Sequence, residues 1–162
     1  MVCWGTRAEV HSKKESDAVK SFSKSKEPVY CASLRSDGKL LAIGNSIGKI
    51  LVFDYDSKLL LRTLEGHKSI VRNLKFLPNK VNLISSSYDG TIRLWDIAEG
   101  SEIACFSDSQ DYVRTLSVCE SSSSLFLSGS YDGFVRLYDA QKKELILSLN
   151  HGTPVEAVVL AS

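Results

Sequence analysis

The sequence lacks any run of about 18 apolar residues, the length a membrane-crossing helix needs. Its opening residues, MVCWGTRAEVHSKK, hold no apolar core of signal-peptide type. Net charge is only +1 at pH 7, so no field of one sign advertises nucleic acid or a lipid surface. The four cysteines (Cys3, Cys31, Cys105 and Cys119) form no CxxC pair and no disulfide-framework spacing. They are read as reduced thiols of an intracellular protein, and no zinc site or other cofactor is expected. No segment sustains a helical period, and Ser85 is not flanked by the glycines of a GxSxG nucleophile turn.

What the chain does contain is repetition. The stretch SYDGTIRLWD, closing at Asp96, returns almost unchanged as SYDGFVRLYD, closing at Asp139. With IGKILVFD, closing at Asp54, the three Asp residues are spaced by 42 and then 43 residues. Val29, Val71, Val113 and Val155 keep a constant step of 42. One residue is therefore inserted near VCESSSSL and one is lost after Asp139. Connections that change length while strand cores keep step are the signature of stacked repeats.

Each period has one internal grammar. IVRNLKF, VNLISSS, TIRLWD and EIACF read as strands, separated by LPNK, Tyr88-Asp89-Gly90 and IAEG turns. Gly38, Gly90 and Gly133 each follow an Asp at a turn centre, where positive φ is expected. Four strands in about 42 residues make a β-propeller blade. The expected fold is all-β, an open arc of about three full four-stranded blades read as a fragment of a closed propeller. Residues 1–26 end a preceding incomplete blade, with strands at 7–11 and 17–22. Blades occupy 27–66, 67–109 and 110–151, and 152–162 holds the first strand of a further one, at 154–160.

Gly66-His67, Ser85, Asp89 and Trp95-Asp96 resemble the marks of a WD repeat. The resemblance implies a structural tetrad of His67, Ser85, Asp89 and Trp95, in which buried polar groups satisfy one another. The last repeat keeps Ser128 and Asp132 but has Tyr138 for Trp and no matching His. The first has Ile43, Ile47 and Phe53 and is expected to rely on packing alone. SFSKSKEPVYCASLRSDGKLLAIG, GSYDGFVRLYDA and HGTPVEAVVL make the chain similar to the WD-repeat small nucleolar RNA-associated proteins of the small-subunit processome. That resemblance implies a non-catalytic scaffold in the nucleus and nucleolus, acting in pre-rRNA processing beside other propeller and helical subunits. It implies no membrane partner and no small-molecule substrate. The alternative is a general WD-repeat adaptor, such as a substrate receptor of a ubiquitin ligase.

Several sharper readings compete with plain ones. Ser85, His67 and Asp89 imitate a hydrolase triad, but Ser85 falls inside an expected strand and Trp95 completes a structural account. His151 lies two periods after His67 and is expected at a blade entry; His11 replaces Phe53 as a strand residue. Lys13, Lys14, Lys20, Lys24 and Lys26 read as a solvated edge, with a salt-sensitive contact to pre-rRNA or snoRNA kept as the sharper option. Tyr88 and Tyr131 precede the turn Asp, and Arg72 and Arg114 follow the opening Val. In an antiparallel blade these positions share a rim, so the four residues form the candidate interface.

Overall fold

The computed structural model describes residues 2–11, 18–22 and 25–160. Among these residues there are strands and no helix. The first sheet holds β1 (Val2–Trp4), β2 (Arg7–His11) and β3 (Ala18–Phe22). The second holds β4 (Val29–Leu34), β5 (Leu40–Asn45), β6 (Ile50–Asp54) and β7 (Leu60–Leu64). The third holds β8 (Val71–Phe76), β9 (Asn82–Ser87), β10 (Ile92–Asp96) and β11 (Ser101–Phe106). The fourth holds β12 (Val113–Val118), β13 (Leu125–Ser130), β14 (Phe134–Asp139) and β15 (Glu144–Asn150). Every sheet is an antiparallel meander in chain order, and no sheet closes on itself into a barrel.

Consecutive sheets pack face to face, and the cores lie between them. Ala42, Ile50, Val52 and Leu64 of the second sheet bury against Val71, Leu74, Leu83 and Trp95 of the third. Ile84, Ile92, Leu94 and Phe106 of the third bury against Val113, Leu116, Phe126 and Tyr138 of the fourth. Ala8 and Phe22 meet Val29, Leu41, Ile43 and Phe53 across the first junction. Each large side chain taken from water contributes about 1.5–3 kcal/mol, so these junctions supply most of the cohesion. The middle strands β5 and β9 are wedged on both faces, which is why they are nearly continuous in apolar and small residues.

The repeats share their irregularities. In each pairing of first with second strand the register skips one residue: between Val29 and Cys31, between Val71 and Asn73, and between Val113 and Thr115. Tyr30, Arg72 and Arg114 are therefore bulge residues, and a bulge re-aims its side chain. A second bulge lies between third and fourth strands and skips Leu61, Ile103 and Ile146. The inserted residue near VCESSSSL falls in the connection between β12 and β13.

Two expectations are corrected at the ends. The first sheet has three strands and not two, because Val2–Trp4 pairs with Arg7–His11 around a Gly5 turn at φ 53. Residues 154–160 form no strand. They lie against β12 and β13, and two of their backbone N–H groups bond Ser130 O (from Val155, 3.0 Å) and Ser117 Oγ (from Leu160, 3.0 Å) in place of a strand ladder. Gly38, Gly90 and Gly133 do adopt positive φ (73, 81 and 83). Gly38 sits in a different turn from the other two: the match to Gly90 and Gly133 in the second sheet is Gly48, at φ 84.

Candidate interaction rim and its supporting tetrad

The third sheet brings its four marked side chains into one hydrogen-bonded chain. His67 Nδ1 lies 2.9 Å from Asp89 Oδ2, and its Nε2 lies 2.7 Å from Ser85 Oγ. Trp95 Nε1 donates to the same Ser85 oxygen at 2.8 Å. Asp89 also accepts from the Lys68 backbone N–H (2.8 Å), the Thr91 N–H (2.9 Å) and the Thr91 hydroxyl (2.6 Å). The loop before β8 is thus tied to the turn between β9 and β10. Ser85 is fully buried with its oxygen engaged on both sides, so no substrate reaches it as a nucleophile.

Burial alone would push the Asp89 carboxyl up; the bonds from His67, Thr91 and Lys68 outweigh it and hold the carboxyl well below its ordinary range. A depressed folded-state value has a definite sign in linkage. The contribution is fully present above the unfolded value of about 4 and drains away as pH falls below it. Asp132 is shifted the same way, with burial opposed by Arg136 and two backbone N–H groups. Urea midpoints should therefore hold steady down to about pH 5 and fall steeply between about pH 4 and 2. An Asp89→Asn chain should start lower and show a shallower acid limb; an identical limb would mean the carboxylate is not the titrating group.

The other two full sheets solve the same corner differently. In the fourth, Arg136 takes the place of the missing histidine. Its guanidinium pairs with Asp132 (2.8 Å) and donates to Ser109 Oγ (3.1 Å), with both charged side chains only 7% exposed. Tyr138 stacks on Phe126 at 5.1 Å; its hydroxyl and that of Ser128 are buried without a hydrogen-bond partner. The expectation that the first full repeat relies on packing alone is corrected. Ile43 and Phe53 are buried as expected, but Ile47 is 50% exposed. Asn45 supplies the polar lock, its side-chain oxygen accepting from the Ile47 and Lys49 N–H groups (3.2 and 2.9 Å).

Three of the four candidate interface residues come together. The backbone N–H of Tyr88 bonds Ile70 O and that of Tyr131 bonds Tyr112 O, which seats the turns on the loops before β8 and β12. Arg114 donates to the Tyr88 hydroxyl (2.8 Å), lies over the Tyr131 ring (5.5 Å) and pairs with Glu156. Tyr131 donates to Glu156 at 2.5 Å. Tyr112, unmarked in the sequence, stacks on Tyr88 at 4.5 Å and is 45% exposed. Arg72 does not join the cluster: its Nε is buried without a hydrogen-bond partner. The bulge frame also aligns Tyr30, 43% exposed, with Arg72 and Arg114. The 42-residue step from Tyr30 through Arg72 and Arg114 to Glu156 was a signal available in the sequence.

Other sequence-marked residues lie elsewhere. His151 is exposed; its ring bonds only Thr153 of its own turn among the described residues, while its backbone N–H bonds Gly133 O (2.8 Å). His11 ends β2 beside Glu9 at 3.5 Å. Lys13, Lys14 and Lys24 lie outside the described residues, while Lys20 binds Asp56 (2.8 Å) and covers the Tyr55 ring. The four cysteines are unbridged. Among the described residues no His, Cys, Asp and Glu group could hold a metal, and no helix is long and apolar enough to cross a membrane.

Four-stranded sheets packed face to face, a His–Ser–Asp–Trp lock and a repeated Tyr–Asp–Gly rim turn define a WD-repeat protein. The family described as WD domain, G-beta repeat matches residues 58–96 and 100–139. Each match takes in the last strand of one sheet and the first three of the next, β7–β10 and β11–β14. Over nearly its whole length the chain is similar to one set of relatives. It is 37% identical over 155 residues, 96% of its length, to the U3 small nucleolar RNA-associated protein 15 homolog of Xenopus laevis. It is 39% identical over 97% of its length to U3 small nucleolar RNA-associated protein 15 of Saccharomyces cerevisiae. It is 38% identical over 83% to Protein SLOW WALKER 1 of Arabidopsis thaliana. The chain spans 30% of the frog relative and 32% of the yeast one.

Proposed function

We propose that this chain acts as a non-catalytic WD-repeat scaffold in assembly of the small-subunit processome, in nucleolar pre-rRNA processing. The observation that carries the reading is identity of 37–39% across 96–97% of the chain to relatives named for association with the U3 small nucleolar RNA. Rigid sheets locked at each rim corner suit that role, because they present the rim side chains at fixed spacing. The partners are other processome proteins, propeller and helical subunits among them, and the place of action is the nucleolus. Tyr88, Tyr112, Tyr131 and Arg114 form the docking surface, since aromatic rings and a guanidinium give large contact area at low entropic cost.

Affinity purification of the tagged protein, with U3 RNA and co-purified proteins quantified, tests this. Enrichment of U3 and processome subunits is expected. Recovery of ubiquitin-ligase subunits without U3 would replace the reading with that of a general adaptor. Changing Tyr88, Tyr112, Tyr131 and Arg114 together to Ala should weaken recovery while the fold persists. Normal recovery would remove the rim from the interface. A protein partner should be lost with little salt dependence, and an RNA backbone with a steep one.

A further inference from the structure

Equivalent grooves open at two junctions on the side of the sheets opposite the Tyr88 turns. One lies between the second and third sheets and has a volume of about 460 Å³. The other lies between the third and fourth and has about 300 Å³. Strand register makes their positions correspond, and the side chains differ in one direction. Where the first groove has Arg35, Lys80 and Val81, the second has Leu77, Ser123 and Ser124. The second is lined by no charged residue at all. The first is lined by three cations and no acid over an aliphatic floor that includes Leu61 and Ile97. The second junction is built without such cations, whereas at the first Arg35 and Arg62 each bond a backbone carbonyl of the third sheet and the Lys80 ammonium bonds none among the described residues.

Two of the three cations meet no carboxylate among the described residues. Arg35 is paired with Asp37 (2.9 Å) and donates to Lys80 O (3.1 Å), which fixes the wall between the sheets. Arg62 bonds only two backbone carbonyls, those of Leu61 and Ala98, each at 2.9 Å. Lys80 is exposed, and its ammonium has no ion-pair partner among the described residues. Leu61 is a bulge residue and 42% exposed, and Val81 is 51% exposed. The groove therefore offers an apolar seat for one or two side chains, rimmed by two positive groups, Arg62 and Lys80, that no carboxylate pairs with among the described residues. Carboxylates bond such groups with charge assistance. A nucleic acid is a poorer match, because no aromatic ring lines the groove for a base to stack on.

We propose that this groove binds a short acidic peptide segment of a partner protein, with an aliphatic anchor side chain on the Leu61–Val81 floor and flanking carboxylates on Lys80 and Arg62. The site is separate from the tyrosine rim and does not depend on the processome role.

The probe is a labelled Glu-Asp-Leu-Leu-Asp-Glu peptide titrated into the full chain, read by fluorescence anisotropy. Saturable binding that weakens with salt is expected. The Gln-Asn-Leu-Leu-Asn-Gln counterpart should bind at least about tenfold less tightly, the loss of one charge-assisted contact. A Lys80→Gly, Val81→Ser chain should lose affinity to a similar degree with an unchanged melting midpoint. Its backbone is suited to the change, since Lys80 holds φ 62 and its counterpart in the second sheet is Gly38 at φ 73. Arg62→Gln provides a second variant and should also weaken binding. Absence of binding by the unaltered chain, equal affinity for the neutral peptide, or unchanged affinity in both variants would overturn the proposal. Displacement of the peptide by a ten-nucleotide oligouridine would overturn it in favour of RNA.

Discussion

A Gly48→Ala chain should lose about 4 kcal/mol of unfolding free energy, combining left-handed strain with forced overpacking. Gly48 holds φ 84, and an added Cβ would lie 2.2 Å from the His67 carbonyl oxygen and 3.2 Å from that of Ser69. Both contacts are backbone atoms of the loop before β8. That loop cannot step aside cheaply, because the His67 ring is pinned by Asp89 and Ser85. A substitution in the second sheet thus strikes the lock of the third. Gly38→Ala is the matched control: φ is 73, and nothing lies within 4 Å of the new methyl. It should cost only about 1–2 kcal/mol, the strain alone. Denaturant midpoints of the two chains decide the matter, and equal losses would show that the sheet-to-loop contact carries no energy.

Asp89→Ala should be comparably severe. It strips the acceptor from His67 Nδ1, the Lys68 N–H and the Thr91 N–H at once, and the His67 side chain is fully buried. Each polar group left unsatisfied costs about 1–3 kcal/mol, and a loss of about 3 kcal/mol or more is expected overall. Ser121→Ala, on an exposed residue of the β12–β13 connection, should stay within about 0.5 kcal/mol. A double-mutant cycle of His67→Ala with Asp89→Ala should return a coupling of about 1–3 kcal/mol. Additive losses would mean that the two side chains stabilise the corner independently.

Much of this architecture was legible because its signals are periodic. A 42-residue step survives in Val29, Val71 and Val113, which are buried starts of β4, β8 and β12 and so cannot drift. The tetrad was legible for the same reason, since four polar types at set spacings have few other uses inside a sheet. Substitutions within the repeat were harder to read. Arg136 replaces a histidine from another strand, and Asn45 replaces an aspartate from two residues earlier in the turn. A search by aligned position misses a group that reaches the same space from a different backbone site. Arg72 and Arg114 occupy matching bulges, yet only Arg114 has Glu156 and two tyrosines before it. The difference lies on either side of each arginine's own sheet, where Ser46 and Arg114 stand one period before Tyr88 and Glu156. Residues 154–160 carry strand-like residues, but strand formation needs a facing backbone as well as suitable side chains.

The matched repeats 58–96 and 100–139 are out of phase with the sheets they build. Sequence similarity follows the former, whereas packing stabilises the latter. Each matched repeat is therefore stitched to its neighbour, lending its first strand backwards and its other three forwards. The third sheet draws on both matched repeats, β8–β10 on the first and β11 on the second. Tension on one repeat should therefore be borne by two sheets, since drawing out 58–96 would take the edge strand β7 from the second sheet along with three strands of the third.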